Sequence, residues 1–385
     1  MKDELTPAGN IITFETYAAM DDVPAAAWDT VFKGRSCTFS RDFWNVVEKS
    51  RMNDFDYRHA IFSDEQGAAV AGITYYTITT DIAIFAPAPL RRLLDGVRRV
   101  FPNFMKLRMI ECGTPVTINS PPFATKGATP QRIAVAVSKL LRKEARRNRC
   151  LLIVVRDFER NAVTEEDDFK LLGYHLVDGL PNTYMDIRWK TPEEYLNSMK
   201  SYYRSKLVKH LKRAEEQGFR HALVEDFAAE AETLRNQWMV VHENAKEFQR
   251  EVLTPDFYRN LSTCMGSRSR AIYVYQQDKL IAHALILMDG DMLRWLYFGR
   301  TEAANDSLYI YVAHKVVETA IILGAKRLEL GLTTYPIKQD LGAEMEPTKL
   351  ALRGAPAIIN PVVGFFYKLL NSVPESGTRD IFKKD

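Results

Sequence analysis

The sequence predicts a mixed α/β fold in two similar halves, each a mixed, mostly antiparallel sheet flanked by helices. Three observations lead there. The chain has 385 residues, too many for one ordinary domain and suited to two. A polar turn followed by β-rich residues occurs twice, at 66–75 (QGAAVAGITY) and 277–286 (QDKLIAHALI). A helix leading through a short turn into a buried strand also occurs twice, at 138–154 and 314–330. Hairpin, helix and strand in that order imply a mixed sheet with helices on its faces. A tandem duplication is preferred to a coincidence of common α/β patterns. The first half carries extra residues between its two features, around 87–129. The boundary falls near 188, giving halves of 1–188 and 189–385.

Taken in order, 11–15 reads as a strand, 23–32 as a helix and 39–49 as an amphipathic helix with Phe43, Val46 and Val47 on one side. Residues 57–62 and 69–79 are β-rich around the turn Asp64-Glu65-Gln66-Gly67. Residues 82–85 form an apolar run. Pro87, Pro89 and Pro102 then interrupt a basic stretch, 107–112 returns to strand, and 115–127 is loop. Thr129-Pro130 opens a helix to about 148, since proline is accommodated in a first turn whose amide has no helical partner. Leu151 to Val155 is a buried strand, and 171–175 and 182–187 complete the half. Thr191-Pro192-Glu193-Glu194 starts a long helix that stops at Gly218. There follow a strand at 222–225, helices at 228–247 and 255–264, and a hairpin of 271–276 and 280–288 about Gln277-Asp278. A strand at 292–298, a helix at 308–323 and a strand at 327–332 end the pattern.

Composition narrows the function. With 46% hydrophobic and 26% charged residues the chain is globular, not disordered. Lys+Arg 52 against Asp+Glu 49 gives a net charge of +3, so any nucleic-acid contact must be a local patch. No apolar run approaches the roughly 20 residues of a membrane helix; no membrane insertion is expected. The N-terminus MKDELTPAGN lacks a basic segment followed by an apolar one, which points to a cytoplasmic location. Cys37, Cys112, Cys150 and Cys264 are scattered, with no CxxC pair, and His242-Glu243 lacks the second histidine of HExxH. No metal is expected. No GxSxG motif occurs, which argues against a serine hydrolase.

Charge is concentrated at the head of the second half. Lys200, Arg204, Lys206, Lys209, Lys212 and Arg213 occur with no acid among them. Leu196, Met199, Tyr203, Leu207, Leu211 and Ala214 form one buried stripe, leaving the cations on the remaining surface. That surface is either a solvated face or a phosphate-binding one, since uncompensated cations repel one another and a polyanion relieves them. Tyr202 can stack on a base. Arg142, Lys143, Arg146, Arg147 and Arg149 can extend the surface, although Glu144 lies among them.

Several segments resemble one family. Residues 39–44 (FSRDFW) are similar to the opening helix of the tandem-GNAT, FemAB-like acyltransferases. Residues 172–186 (LGYHLVDGLPNTYMD) resemble the junction between their two domains, and 195–213 their basic helix. Residues 324–350 (GAKRLELGLTTYPIKQDLGAEMEPTKL) resemble their closing strand, aromatic-x-x-Lys element and Leu-Gly-Ala turn. The resemblance spans most of 35–355. It implies two packed GNAT-type folds and transfer of an acyl group to an amine, with aminoacyl-tRNA as donor in some members. In this light the chain needs no tightly bound cofactor. Its co-substrate is aminoacyl-tRNA, an acyl-carrier protein or acyl-CoA, and its acceptor an amine-bearing small molecule or peptide. The chain departs from acetyl-CoA GNATs at 300–311 (RTEAANDSLYIY). No glycine lies there to let backbone amides approach a pyrophosphate. That favours a tRNA or carrier donor, with acyl-CoA the close alternative. A non-catalytic pair that grips RNA or an acidic partner is the reading from another class.

Amide formation needs a neutral amine, a route for its proton and stabilisation of the developing oxyanion. Lys338 matches the lysine of the aromatic-x-x-Lys element, implying a hold on a phosphate or on the oxyanion; otherwise it is a surface cation in a turn. Tyr335 positions the donor, donates a proton or is a rim aromatic. Glu329, at the end of a strand, is a base or a solvated carboxylate. Asp186 is assigned to the acceptor amine, with Asn182 and Tyr184 lining the same region. Trp295 and Tyr297 alternate with Leu296 and so share one strand face, which either lines an acyl pocket or packs. His283, inside an apolar strand, is a satisfied core histidine more readily than a base.

Overall fold

The structure, a computed structural model, describes residues 12–82, 88–118, 123–125, 129–159, 163–245, 251–304, 307–370 and 377–383. The first half contains β1 (Thr13–Tyr17), α1 (Ala25–Phe32), α2 (Arg41–Lys49), β2 (Asp56–Ser63), β3 (Ala69–Asp81), α3 (Ala88–Arg98) and β4 (Lys106–Cys112). It continues with β5 (Phe123–Thr125), α4 (Pro130–Arg147), β6 (Leu152–Glu159), α5 (Val163–Leu171), β7 (His175–Asp178) and β8 (Asn182–Asp186). The second half contains α6 (Pro192–Ser198), α7 (Ser201–Glu216), β9 (Phe219–Val224), α8 (Ala231–Asn244), α9 (Pro255–Met265), β10 (Ser269–Gln276), β11 (Lys279–Asp289) and β12 (Met292–Arg300). It ends with α10 (Leu308–Ile322), β13 (Arg327–Gly331), α11 (Tyr335–Asp340), β14 (Glu344–Glu346), β15 (Thr348–Gly354) and α12 (Asn360–Leu370).

Two mixed sheets form. One runs β1-β2-β3-β4-β6-β15-β7 with β5 beside β3, and the other β14-β8-β13-β12-β11-β10-β9. Each contains one parallel pair, β4 with β6 and β12 with β13, among antiparallel neighbours. The expected repeat is visible in the connections. Hairpins β2/β3 and β10/β11 correspond, and α4 and α10 each cross from one parallel strand to its partner. The turn at Gln277-Asp278 has both residues in the left-handed region, at φ 49° and 64°, the conformation of a tight hairpin.

Apolar side chains sort into three layers. Ile133, Val137, Leu140 and Leu141 of α4 and Phe169 of α5 cover the outer face of the first sheet. Leu207 of α7 and Val312, Val316 and Val317 of α10 cover the outer face of the second. Between the sheets lies a shared core with Trp28, Phe43 and Trp44 from α1 and α2 and Trp238, Phe257 and Leu261 from α8 and α9. The start of α2 is fixed by Ser40, whose hydroxyl accepts a hydrogen bond from the Phe43 amide at 3.2 Å, an N-cap.

Three expectations need correction. A boundary at 188 does not follow the pairing. β8 lies before it yet pairs with β13 and β14 of the second sheet. β15 lies near the C-terminus yet sits between β6 and β7 of the first. A strand's alternation reports which face it buries, not which sheet it joins. Second, the helix expected from 191 to 218 is broken at Met199-Lys200. There the chain is extended, pairing Met199 with Phe382 and bonding the Lys200 amide to the Ile381 carbonyl at 2.8 Å. Third, the basic stretch interrupted by prolines contains α3. The apolar run at 82–85 lies mostly outside the described residues. Residues 1–188 produced alone would lack β15, which joins β6 to the edge strand β7. They are expected to melt without a cooperative transition by circular dichroism, and a sharp sigmoidal melt would contradict this.

Candidate active site

β12 and β13 pair in parallel only through Met292–Arg294 and Arg327–Glu329. β12 then follows β11 to Arg300, while β13 follows β8 to Gly331. Open α/β sheets take ligands in the crevice where two adjacent parallel strands part, at their C-terminal ends.

A chain of buried polar groups stands at this parting. The Arg294 guanidinium donates to Glu329 Oε2, to Asp289 Oδ2 at 2.8 Å and to the Ile118 carbonyl at 3.3 Å. Asn182 Nδ2 donates to Glu329 Oε1 and to the Tyr184 hydroxyl, both at 2.8 Å. Asp289 accepts from the Ser36 hydroxyl and from the Cys37 amide, both at 2.6 Å. Ser36, Cys37 and Ile118 belong to the first half, so the network joins the two sheets. Burial opposes the Arg294 charge, but Glu329 and Asp289 hold its pKa above the ordinary guanidinium range. Burial likewise opposes the Asp289 charge, but Arg294, Ser36 and the Cys37 amide leave its carboxyl below the usual value. Neither Arg294 nor Asp289 was anticipated. Their signal was an acid and an arginine inside otherwise apolar strands, where a charge requires a partner.

Lys338 lies next to this network. It is 3% exposed, and its Nζ donates to the carbonyls of Gly331 at 3.0 Å and Leu332 at 2.7 Å. Those carbonyls belong to the turn that ends β13. Gly331, Thr333 and Thr334 there have φ of 77°, 65° and 51°, which is strained for the two threonines. The lysine thus fixes a strained turn at the mouth of the crevice. Burial pushes its pKa down to about 7, partly offset by the negative charge of Glu329. The surface-cation reading of Lys338 is therefore corrected. At neutral pH much of it is an uncharged amine whose two N–H groups match the two carbonyls, leaving a lone pair free.

The other expected residues separate. Asn182, Tyr184, Glu329 and Lys338 come together. The Tyr335 hydroxyl donates to the Pro181 carbonyl at 2.9 Å, tying α11 to the start of β8. Asp186 shares a strand face with Asn182 and Tyr184 but is exposed at the far end of β8, paired with Arg327 at 3.9 Å. Arg327 in turn covers the Tyr184 ring, 4.1 Å from its centroid. Both oxygens of Glu329 are engaged, which contradicts its reading as a solvated carboxylate and leaves neither free for substrate.

Trp295 and Tyr297 do not share a face. The register shifts so that Leu285 opposes Tyr297 and Ile286 opposes Trp295. Leu296 is thus an extra residue, and a bulge resets the alternation. Trp295 stacks on Tyr309 of α10 at 5.6 Å in the outer core. Tyr297 faces the middle layer, meeting Phe257 and donating to Glu251 at 3.1 Å. His283 is a core histidine as expected: Nδ1 meets Gln237 Oε1 at 2.9 Å, Nε2 meets the Tyr258 hydroxyl at 3.2 Å, and burial lowers its pKa to about 3.

The basic helix is partly neutralised by acids distant in sequence. Lys200 pairs with Asp380 at 2.6 Å and Lys206 with Asp340. Arg204 is half-buried, while Lys209, Lys212 and Arg213 are exposed. Local sequence showed no acid because these arrive from the C-terminal segment and α11. His210 of α7 meets the Ser307 hydroxyl at the start of α10 at 2.9 Å, so the cationic helix runs beside that helix N-terminus.

The two-sheet fold matches known architectures. FemX aligns at a TM-score of 0.55, 11% identical, over 88% of this chain and 96% of that one. A tandem GNAT protein from the clavulanic acid biosynthesis pathway aligns at 0.52, 11% identical, over 90% and 99%. The FemAB-like family model, described as peptidoglycan biosynthesis/recognition, matches residues 128–334. That is more than half of the sequence, and the chain belongs to the FemAB-like family. A curated Mycobacterium tuberculosis protein named 8-amino-7-oxononanoate synthase 2 is 27% identical over 322 residues, covering 81% of this chain and 41% of that protein. The chain thus spans about two-fifths of the length of that relative. Among the described residues no helix is long and apolar enough to cross a membrane.

Proposed function

We propose that this acyltransferase forms an amide by moving an acyl or aminoacyl group from a phosphate-bearing donor, aminoacyl-tRNA or an acyl-carrier thioester, to the amine of a small molecule or peptide. The observation that carries the reading is Lys338, a buried amine held by the Gly331 and Leu332 carbonyls where β12 and β13 part, its pKa pushed down by burial to about 7. The acceptor nitrogen attacks the acyl carbon. The Lys338 lone pair takes the proton that the nitrogen sheds, and the resulting ammonium uses its third N–H on the oxyanion. As the C–O or C–S bond to the donor breaks, that proton passes to the leaving oxygen or sulfur. Glu329 acts by charge, favouring the ammonium as it forms, and Arg294 and Asn182 hold Glu329 in place. Asn182 and Tyr184 border the acceptor, and Tyr335 positions α11. Trp295 and Tyr297, on opposite faces, support the crevice from either side. Asp186 can meet only a long acceptor.

Lys209, Lys212 and Arg213, exposed along α7, suit the donor's phosphates, with Arg204 and the paired Lys200 and Lys206 beside them. Acyl-CoA is the second reading, favoured by the start of α10 beside this helix, since helix N-termini attract phosphate. The test offers charged tRNA, acyl-carrier proteins and acyl-CoAs in separate reactions with a panel of amines, and mass spectrometry reads which donor loses its acyl group. Loss from tRNA, inhibited steeply by salt, is expected. Replacing Lys209, Lys212 and Arg213 by glutamine should lower the salt slope by about 2–3. Loss from acyl-CoA alone transfers the assignment to the second reading, and loss from no pool overturns both.

A further inference from the structure

In the second half, β11 and β12 are joined by Gly290 and Asp291, a minimal turn with Gly290 at φ 62°. The matching strands of the first half, β3 and β4, are separated by an excursion of more than twenty residues carrying α3. Asp81 still pairs with Lys106, and the Ile82 amide still bonds the Met105 carbonyl at 3.0 Å. The hairpin therefore closes normally, and among its described residues, 88–105, the excursion contributes no strand to the sheet.

The side chains of this excursion are distributed oddly for a helix that only packs. Its inner side is small: Leu94 is buried, and Arg98 bonds Asp81 and the Phe104 carbonyl. Leu93, Val97, Val100 and Phe101 recur at helical spacing on another side, and the Phe101 amide bonds the Val97 carbonyl at 3.0 Å. Leu93, Val100 and Phe101 are 66%, 72% and 64% exposed, and Phe104 adds to the same patch. Arg92 and Arg99, one heptad apart, are exposed along one margin of this stripe, and Lys106 and Arg108 are exposed at the base of the excursion. Residues 88–108 contain six cations and one acid, Asp95. An exposed apolar stripe beside arginines is the pattern of a helix lying in the headgroup layer of a bilayer, with apolar side chains in the acyl boundary and cations at the phosphates.

We infer that the α3 excursion docks the protein on an anionic phospholipid surface, Leu93, Val100, Phe101 and Phe104 entering the boundary while Arg92 and Arg99 pair with lipid phosphates. A second copy of the chain fits less well. A two-fold contact through this stripe would place like arginine margins close together, with Asp95 the lone acid to offset them. The docking is peripheral and does not depend on the donor or acceptor.

Flotation of the full chain with vesicles of phosphatidylcholine alone, and of phosphatidylglycerol and phosphatidylcholine in equal parts, tests this. Binding is expected only to the second, weakening as salt rises. R92Q/R99Q should lose about 30-fold in affinity, and L93S/F101S about tenfold or more. F101W gives a readout on folded protein, its emission shifting to the blue with anionic vesicles and not with zwitterionic ones. No binding to either vesicle overturns the inference. So does equal binding to both, an unshifted F101W emission, or a fall in sedimentation coefficient in L93S/F101S that reveals a protein–protein contact.

Discussion

Replacing Arg294 with methionine is expected to lower the free energy of unfolding by about 3–5 kcal/mol. Arg294 is 5% exposed, and its guanidinium serves Glu329, Asp289 and the Ile118 carbonyl together. Methionine fills much of the volume but leaves two carboxylates buried without their counter-charge, and breaking a buried pair costs more than the pair contributes when intact. The triple variant R294M/D289N/E329Q removes the stranded charges and is expected to recover part of the loss, a non-additivity that separates the network from simple loss of packing. Urea denaturation measures both. A loss below about 1 kcal/mol for R294M would mean that the network is not what joins the sheets here. Because Ser36, Cys37 and Ile118 come from the first half, the wild-type halves are also expected to unfold in one transition.

Replacing Lys338 with methionine should reduce transfer by about 100- to 10,000-fold, the range of a lost general acid–base group. It should also change how stability depends on pH. The lysine titrates near 7 in the folded protein and at 10.5 when unfolded. Between those values the unfolded chain holds more protons, so stability rises with pH there. Below 7 both states are protonated and the penalty of burying the charge is complete. From pH 7 to about 10 the wild type should therefore gain on K338M by about 1.4 kcal/mol per pH unit. Parallel stability curves for the two proteins would show that the lysine does not titrate in this window.

The residues made most of the architecture legible, and the failures have physical causes. Hairpins announced themselves through turn residues at Asp64–Gly67 and Gln277-Asp278, and α4 through Thr129-Pro130, because these signals are local. β15 was invisible because it joins strands nearly two hundred residues away. The Leu296 bulge was equally hidden. Alternation assumes a regular pleat, and one extra residue sent Trp295 and Tyr297 to opposite sides. At the site, Asn182, Tyr184, Glu329 and Lys338 were identified, but by resemblance and strand position. Arg294 was passed over because an arginine in a strand is ordinary until its partners are known. The basic helix looked wholly uncompensated for a related reason: Asp340 and Asp380, which pair with Lys206 and Lys200, lie more than a hundred residues on.

The most direct test is the pH dependence of single-turnover amide formation, measured with whichever donor supplies the acyl group and with an acceptor amine in excess. With Lys338 as the proton acceptor, the wild-type rate rises through a pKa of about 7 and levels above it. K338M is slow at every pH and lacks that inflection. An inflection retained in K338M, or a wild-type rate that follows only the acceptor's own pKa, would contradict the assignment of Lys338 to the proton transfer.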